Sequence, residues 1–347
     1  MRLGIATSIP WLPGKTQEQC FREAVEEVEA AEALGFDAVW FTEHHFALHG
    51  LNSGLTAWLA AVAVRTRRVR IGATVFVLPF WNPIRLAEDA AMVDILSGGR
   101  LEFGVGTGYR LDEFKGFNIS PDVSREMGRE CFDIILRLWT GEPVTFKGKY
   151  YTLNEVAIRP VPKQKPHPPI WWPGQSSETL EYIARHGYNW MSASTLATVA
   201  TILERRQRLA ELLQGHGRGI DDIGVYIHVP TYVASATYEE IRRVTEPGIQ
   251  WFRHSAMWYT AGPTPGGGTI YHPIGTEAPF DFERFYKNDS FFGDPETCFR
   301  KIERLWQALR PTDLVFLFKM GQSQEQVVKC MELFAREVMP RVRDLER

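Results

Sequence analysis

Ala38-Val39-Trp40-Phe41 runs straight into Thr42-Glu43-His44-His45-Phe46. Four consecutive apolar residues read as a strand buried on both faces, the habit of a parallel sheet. The strand ends on one carboxyl and two imidazoles, which sets titratable groups where parallel α/β folds place their chemistry. Neighbouring side chains on extended backbone point opposite ways, so His44 and His45 are expected to do different jobs. One should face the mouth of the fold and the other should pack or hydrogen-bond behind it. His45 and His49 are four apart with Glu43 nearby, which raises a metal site. No His-Glu-x-x-His helix is present, and Gly50 and Asn52-Ser53 favour a loop, so no metal is expected.

The alternation of strand and helix extends outward from this stretch in both directions. Leu3 to Ile9 reads as a strand and Thr16 to Leu34 as a helix, with Thr16 and Gln19 as a capping box. The helix face is Phe21, Ala24, Val25, Val28, Ala31 and Leu34. Gly54 to Val64 predicts a helix apolar nearly all round, which needs cover on more than one side. Val69 to Val77 is the next strand, followed by a helix from Pro83 to about Leu96 that Gly98-Gly99 ends. Leu101 to Val105 is a strand and Asp122 to Trp139 a helix.

Residues 143–169 form an insertion: a hairpin of Val144-Thr145-Phe146 and Tyr150-Tyr151-Thr152-Leu153, then a proline-rich connector. Ile170–Trp172, Asn189–Ser192, Ile223–Val233 and Asp313–Phe318 bring the strands to eight. Helices follow from Ser177, over Leu196–Leu213, and from Ser323, where Gln326 completes a second capping box.

Eight such units predict an α/β fold, a (β/α)8 TIM barrel with insertions, as a single domain over residues 1–347. An open doubly wound sheet also alternates in this way. The pattern fails over residues 261–293, where Gly262-Pro263-Thr264-Pro265-Gly266-Gly267-Gly268 predicts neither helix nor strand. Ile270, Tyr271, Phe280, Phe282 and Phe285 give that segment a lid-like character.

Composition excludes several functions. A net charge of -3 carries no footprint for nucleic acid. The longest apolar run, Ala57 to Val64, is far short of the ~20 residues that a membrane span needs. With no export signal evident, a cytoplasmic location is expected. Cys20, Cys131, Cys298 and Cys330 lie far apart in helix-like segments and read as reduced thiols.

Glu43-His44-His45-Phe46, with Gly35-Phe36-Asp37 before the strand, resembles the bacterial luciferase-type flavin monooxygenases. Ile71 to Pro79 with Asn82 to Asp89 resembles that family's third strand and helix, and Ser97 to Gly104 its next turn and strand. The resemblance runs from Gly35 to Pro340. It implies a catalytic acid/base at His44, beside Glu43 and His45. It implies a cis peptide at Thr74-Val75 under a flavin ring, with Gly106 and Thr107 beside it. Gly106 stands where luciferases carry a reactive cysteine, and Thr107 where the family has an arginine. It places the cofactor phosphate on Arg125 and on Gln175-Ser176-Ser177-Glu178-Thr179, with Arg110 a substitute for the missing arginine.

From the residues alone, the helix start at Ser176 suits an anion through its free N–H groups. An ordinary serine cap explains it equally well. Trp11, Phe80, Trp81 and Tyr109 lie just beyond strands and are candidates for a substrate pocket. Gly104-Val105-Gly106-Thr107-Gly108 is a poor dinucleotide fingerprint, because the third glycine is misplaced and no helix evidently follows.

The resemblance thus implies a two-component monooxygenase. Reduced FMN would come from a separate flavin reductase, O2 would add to give a C4a-(hydro)peroxyflavin, and a small apolar organic molecule would be oxygenated. A flavin- or deazaflavin-dependent reductase that transfers hydride shares the fold, and a non-catalytic flavin-binding subunit is a further alternative. A homodimer through the helix of Gly54–Val64 is expected.

Overall fold

Pairing between the first and last strands closes the sheet. The computed structural model describes residues 1–195, 197–254, 259–263, 269–273 and 280–346. Among them, eight parallel strands follow one another around a barrel: β1 (Arg2–Thr7), β2 (Ala38–Phe41), β3 (Arg70–Ala73), β4 (Leu101–Gly106), β5 (Ile170–Pro173), β6 (Asn189–Ala193), β7 (Val225–Val233) and β8 (Asp313–Leu317). Gly4 stands opposite Ala38 on one side of β1 and Val315 on the other, and β7 pairs with both β6 and β8. This is a (β/α)8 TIM barrel.

The barrel interior is filled by Trp40, Trp171, Met191, Tyr226 and Val315, with Ala6 and Ala38 beside them. Small residues make room for the rings. A Cβ on Gly72 would lie 1.9 Å from the Trp40 ring, and one on Gly104 would lie 1.9 Å from the Ala73 carbonyl oxygen. Below these rings, at the N-terminal end of the strands, Glu102 takes Arg2 at 2.5 Å, Arg70, and the Trp171 indole N–H at 2.6 Å. Outward-facing strand residues such as Val39 and Phe41, with Phe36 from the turn before β2, form a second core under the helices.

Helices α1 (Gln17–Leu34), α2 (Leu55–Arg65), α3 (Pro83–Leu96), α4 (Leu111–Gly116), α5 (Ser124–Leu138) and α6 (Ser177–His186) follow the first five strands. Both capping boxes are present, at Thr16/Gln19 and Ser323/Gln326. The third strand is interrupted: β3 stops at Ala73, a cis Thr74-Val75 bond follows, and Phe76–Val77 pairs again with β4. The hairpin of the insertion pairs Val144–Lys147 with Thr152–Val156.

Some local expectations are overturned, and two helices stand where the sequence reading assigned no element. Helix α4 stands where none is evident in Arg110-Leu111-Asp112-Glu113, because at six residues it is too short to show a period. Tyr238–His254 is a helix with Pro247 inside it, a residue that ordinarily argues against one. Pro295–Leu309 is a helix capped by Asp294. The segment 261–293 is not devoid of regular structure. Tyr259–Pro263 pairs antiparallel with Thr269–Pro273, Phe282–Asn288 is helical, and Phe291–Gly293 adds to β7. Glycine and proline are tolerated in a two-stranded ribbon, where each strand has a free edge. The remainder of the lid-like reading, 264–268 and 274–279, lies outside the described residues.

Candidate active site

At the C-terminal end of β2 the chain turns, and Glu43, His44 and His45 diverge. Glu43 is buried under the loop that follows β3. Its carboxylate accepts the Val77 N–H at 3.1 Å and the Trp81 indole N–H at 2.9 Å, and meets His45 Nε2 at 3.0 Å. Burial pushes this carboxyl above the usual range, against the opposing pull of His45 and Trp81. Glu43 therefore clamps the loop after β2 to the loop after β3. His45 completes the clamp, its ring edge-on to Phe117 at 4.7 Å.

His44 turns the other way. Its Nδ1 meets Glu113 Oε1 at 3.1 Å, and the same oxygen accepts the His45 backbone N–H at 3.0 Å. Glu113 comes from α4, the short helix after β4, and Arg110 reaches it at 3.5 Å. Arg110 also donates to the His49 ring, and that ring lies edge-on to His44 with centroids 4.5 Å apart. All four side chains are buried. A carboxylate on Nδ1 orients the imidazole and leaves Nε2 as its proton-exchanging atom. Sequence reading did not pick out Glu113, because the pairing spans 69 positions and helix α4 gave no signal.

The candidate pocket residues divide. Tyr109 lies on the His44 side, edge-on at 6.4 Å. Phe80 stacks on Phe117 at 4.6 Å and Trp81 is held by Glu43, so both belong to the wall behind His45. Trp11 donates its indole N–H to the Lys15 carbonyl at 2.8 Å.

The residues expected beside a flavin do meet. Val75 packs on the barrel's interior cluster, and a Cβ on Gly106 would lie 2.7 Å from Val75 Cγ2 and 3.6 Å from Pro173. Glycine here leaves a shallow cradle above Val75 that a larger residue would fill. Thr107 lies against Gly128 of α5. Ser176 caps α6, its Oγ accepting the Thr179 N–H at 3.3 Å and lying 3.0 Å from Thr179 Oγ1; Gln175 precedes it. Arg125 and Arg129 of α5 both reach Glu178 in the first turn of α6, Arg129 at 2.9 Å. Two guanidiniums converging on a helix N-terminus are a fitting donor set for a phosphate. Arg129 stands one helical turn beyond Arg125, a spacing legible in the sequence that went unread. Arg110 does not join them: it is buried in ion pairs with Asp112 and Glu113. Among the described residues no cluster of three or more metal-ligating side chains occurs, and no helix is long and apolar enough to cross a membrane.

Comparison with known proteins supports the barrel. The chain is 26% identical over 339 residues to the oxygenase component of the flavin-dependent trigonelline monooxygenase of Acinetobacter baylyi, covering 94% of this chain and 91% of that one. Its fold matches the oxygenating constituent of 3,6-diketocamphane monooxygenase from Pseudomonas putida, solved with FMN, at a TM-score of 0.79 and 19% identity over 98% of each chain. It also matches an F420-dependent secondary alcohol dehydrogenase at a TM-score of 0.77 and 20% identity over 99% of each. The family model for luciferase-like monooxygenases matches residues 1–312, and with the barrel and its C-terminal site in place the chain belongs to that family of enzymes.

Proposed function

We propose that the protein is the oxygenase component of a two-component system, acting on a small organic molecule with FMN reduced by a separate reductase. The observation that carries this reading is the alignment of three features at one end of the barrel. These are the His44–Glu113 pair, the cradle of Val75 and Gly106, and the two arginines at the start of α6. Reduced FMN, when bound, supplies the electrons that activate O2. Arg125, Arg129 and the α6 N-terminus hold its phosphate, and Thr74, Val75 and Gly106 support its ring. His44 Nε2 holds or moves a proton at the reacting centre, and Glu113 keeps the ring oriented while it does so. Tyr109 lines the pocket on the same side, and the aromatic wall of Phe80, Phe117 and Trp81 keeps water out from behind.

The test is to supply FMN, a flavin reductase, NADH and labelled dioxygen, then look for one labelled oxygen atom in an organic product. Turnover of an alcohol or ketone with reduced F420 in the absence of oxygen would instead make the protein a hydride-transferring reductase.

The phosphate assignment has its own measurement. Arg125→Ala should weaken FMN binding by about 1.5–3 kcal/mol, the worth of a charge-assisted contact, and hardly touch riboflavin. Equal losses for both flavins would remove Arg125 from the phosphate site.

We also infer a homodimer. Ala57, Ala61 and Val64 of α2 lie exposed beside Met92, Ile95 and Leu96 of α3. The two helices are tied by Thr56 and Asp89 at 3.3 Å. An apolar face of this kind on adjacent helices suits a self-complementary interface. Val64→Glu, at a position 56% exposed in the single chain, should leave the fold intact and give a monomer in sedimentation. A dimer that persists would place the interface elsewhere.

A further inference from the structure

An acid stands among the groups proposed to hold the cofactor phosphate. Glu178 lies in the first turn of α6, two residues past the Ser176 cap. Its carboxylate meets both guanidiniums of α5, Arg125 on Oε2 and Arg129 on Oε1 at 2.9 Å. Each arginine has its own oxygen, and the carboxylate sits where the two converge. The neighbouring acids face other groups. Glu126 meets Lys149 at 2.7 Å, and Glu130 accepts the backbone N–H groups of Lys149, Tyr150 and Tyr151. Glu181 meets His216 at 2.8 Å and Arg185 at 3.7 Å. Arg129 has a second support, the ring of Tyr182 one turn along α6, whose centroid is 4.8 Å from the guanidinium carbon. Its position therefore does not depend on Glu178 alone.

All three groups are open to solvent, the arginines at 30% and 34% and Glu178 at 51%, so an anion can reach them. Together they carry one net positive charge, where the arginines alone would carry two. A phosphate brought to the same guanidiniums has to displace the carboxylate or lie beside it, and like charges repel at short range. An acid in the first turn of a helix is ordinary, because it complements the helix dipole. That role needs no partner on another helix. Glu178 instead reaches across to α5, to a residue 53 positions away in the chain.

We propose that Glu178 is a built-in competitor for the cofactor phosphate. It holds Arg125 and Arg129 as an internal anion, lowers the affinity for FMN and speeds its release. A cofactor that is reduced on another protein has to leave between turnovers. An internal carboxylate that returns to the arginines spares the protein two unpaired cations when it does. This rests on the reading that Arg125, Arg129 and the start of α6 hold the phosphate.

The test is titration of FMN and of riboflavin into the full chain, with FMN release followed by stopped-flow fluorescence. Glu178→Gln should bind FMN about five- to tenfold more tightly than the native protein. The gain is modest because the charges are exposed, and measurable because a phosphate carries close to two of them. It should appear as slower release. Riboflavin affinity should not change, and the gain for FMN should shrink at high salt. An unchanged or weaker FMN affinity in Glu178→Gln would overturn the proposal and leave Glu178 as a brace for the arginines. So would a gain that riboflavin shares equally, or one that salt does not reduce. If Glu178→Gln does not fold, Glu178→Ala decides by the same criteria. Arg125→Ala separates the two readings. Should it weaken FMN selectively while Glu178→Gln brings no gain, the phosphate site stands and only the competitor falls. Should it weaken both flavins alike, the phosphate site falls and the competitor falls with it.

Discussion

Replacing His44 by alanine should cut product formation by about 10²–10⁴-fold, the usual worth of a positioned acid or base, while FMN affinity changes little. The expectation follows from the opposite fates of two adjacent imidazoles. His44 is oriented through Nδ1 by Glu113 and keeps Nε2 for proton exchange. His45 is spent on Glu43, which already holds Val77 and Trp81. His45→Ala should therefore loosen the loops after β2 and β3 and lower stability more than it lowers turnover in the protein that remains folded. Glu113→Gln should lie between native and His44→Ala in rate, because the amide can still contact the ring but carries no charge. Steady-state product formation with FMN titration separates these outcomes. If His45→Ala abolishes product while His44→Ala spares it, the roles are reversed.

Replacing Glu102 by alanine should cost about 3 kcal/mol of stability without touching the C-terminal end of the barrel. Glu102 is fully buried and joins β1, β3, β4 and β5 through Arg2, Arg70 and the Trp171 indole. Removing it leaves an indole N–H and two guanidiniums without their acceptor. Breaking a buried ion pair costs roughly 3–5 kcal/mol, but Arg2 and Arg70 are 34% and 26% exposed and Arg2 keeps Asp313, so the lower end applies. Urea unfolding should show a lower midpoint with an unchanged slope. A loss below about 1 kcal/mol would mean that solvent already satisfies these groups.

Much of this molecule was legible from residues alone because the signals are local. The four apolar residues 38–41 form β2 with the bounds expected of them, since a short apolar run between polar turns has few other uses. Both capping boxes start helices where Thr16 and Ser323 announce them. What escaped was decided at a distance. Helix α4 is too short to declare itself and exists packed beneath the mouth, where it delivers Glu113 to His44 across 69 positions. The helix Tyr238–His254 forms despite Pro247 because tertiary contacts outweigh local propensity: its Gly248 lies so close to the chain after β8 that a Cβ would meet the Met320 carbonyl at 1.6 Å.

By itself, then, the sequence determined the alternation of strands and helices and the two imidazoles at the end of β2, through periodicity, capping and motif, and the resemblance pointed to the arginine and serine now proposed to hold a phosphate. Only the tertiary structure decided that β8 closes on β1, that His44 rather than His45 is paired with Glu113, and that Arg129 joins Arg125 while Arg110 is withdrawn into ion pairs. Each of these depends on which strand lies beside which and on what is buried against what, and burial is a property of the assembled barrel that no local stretch of chain carries.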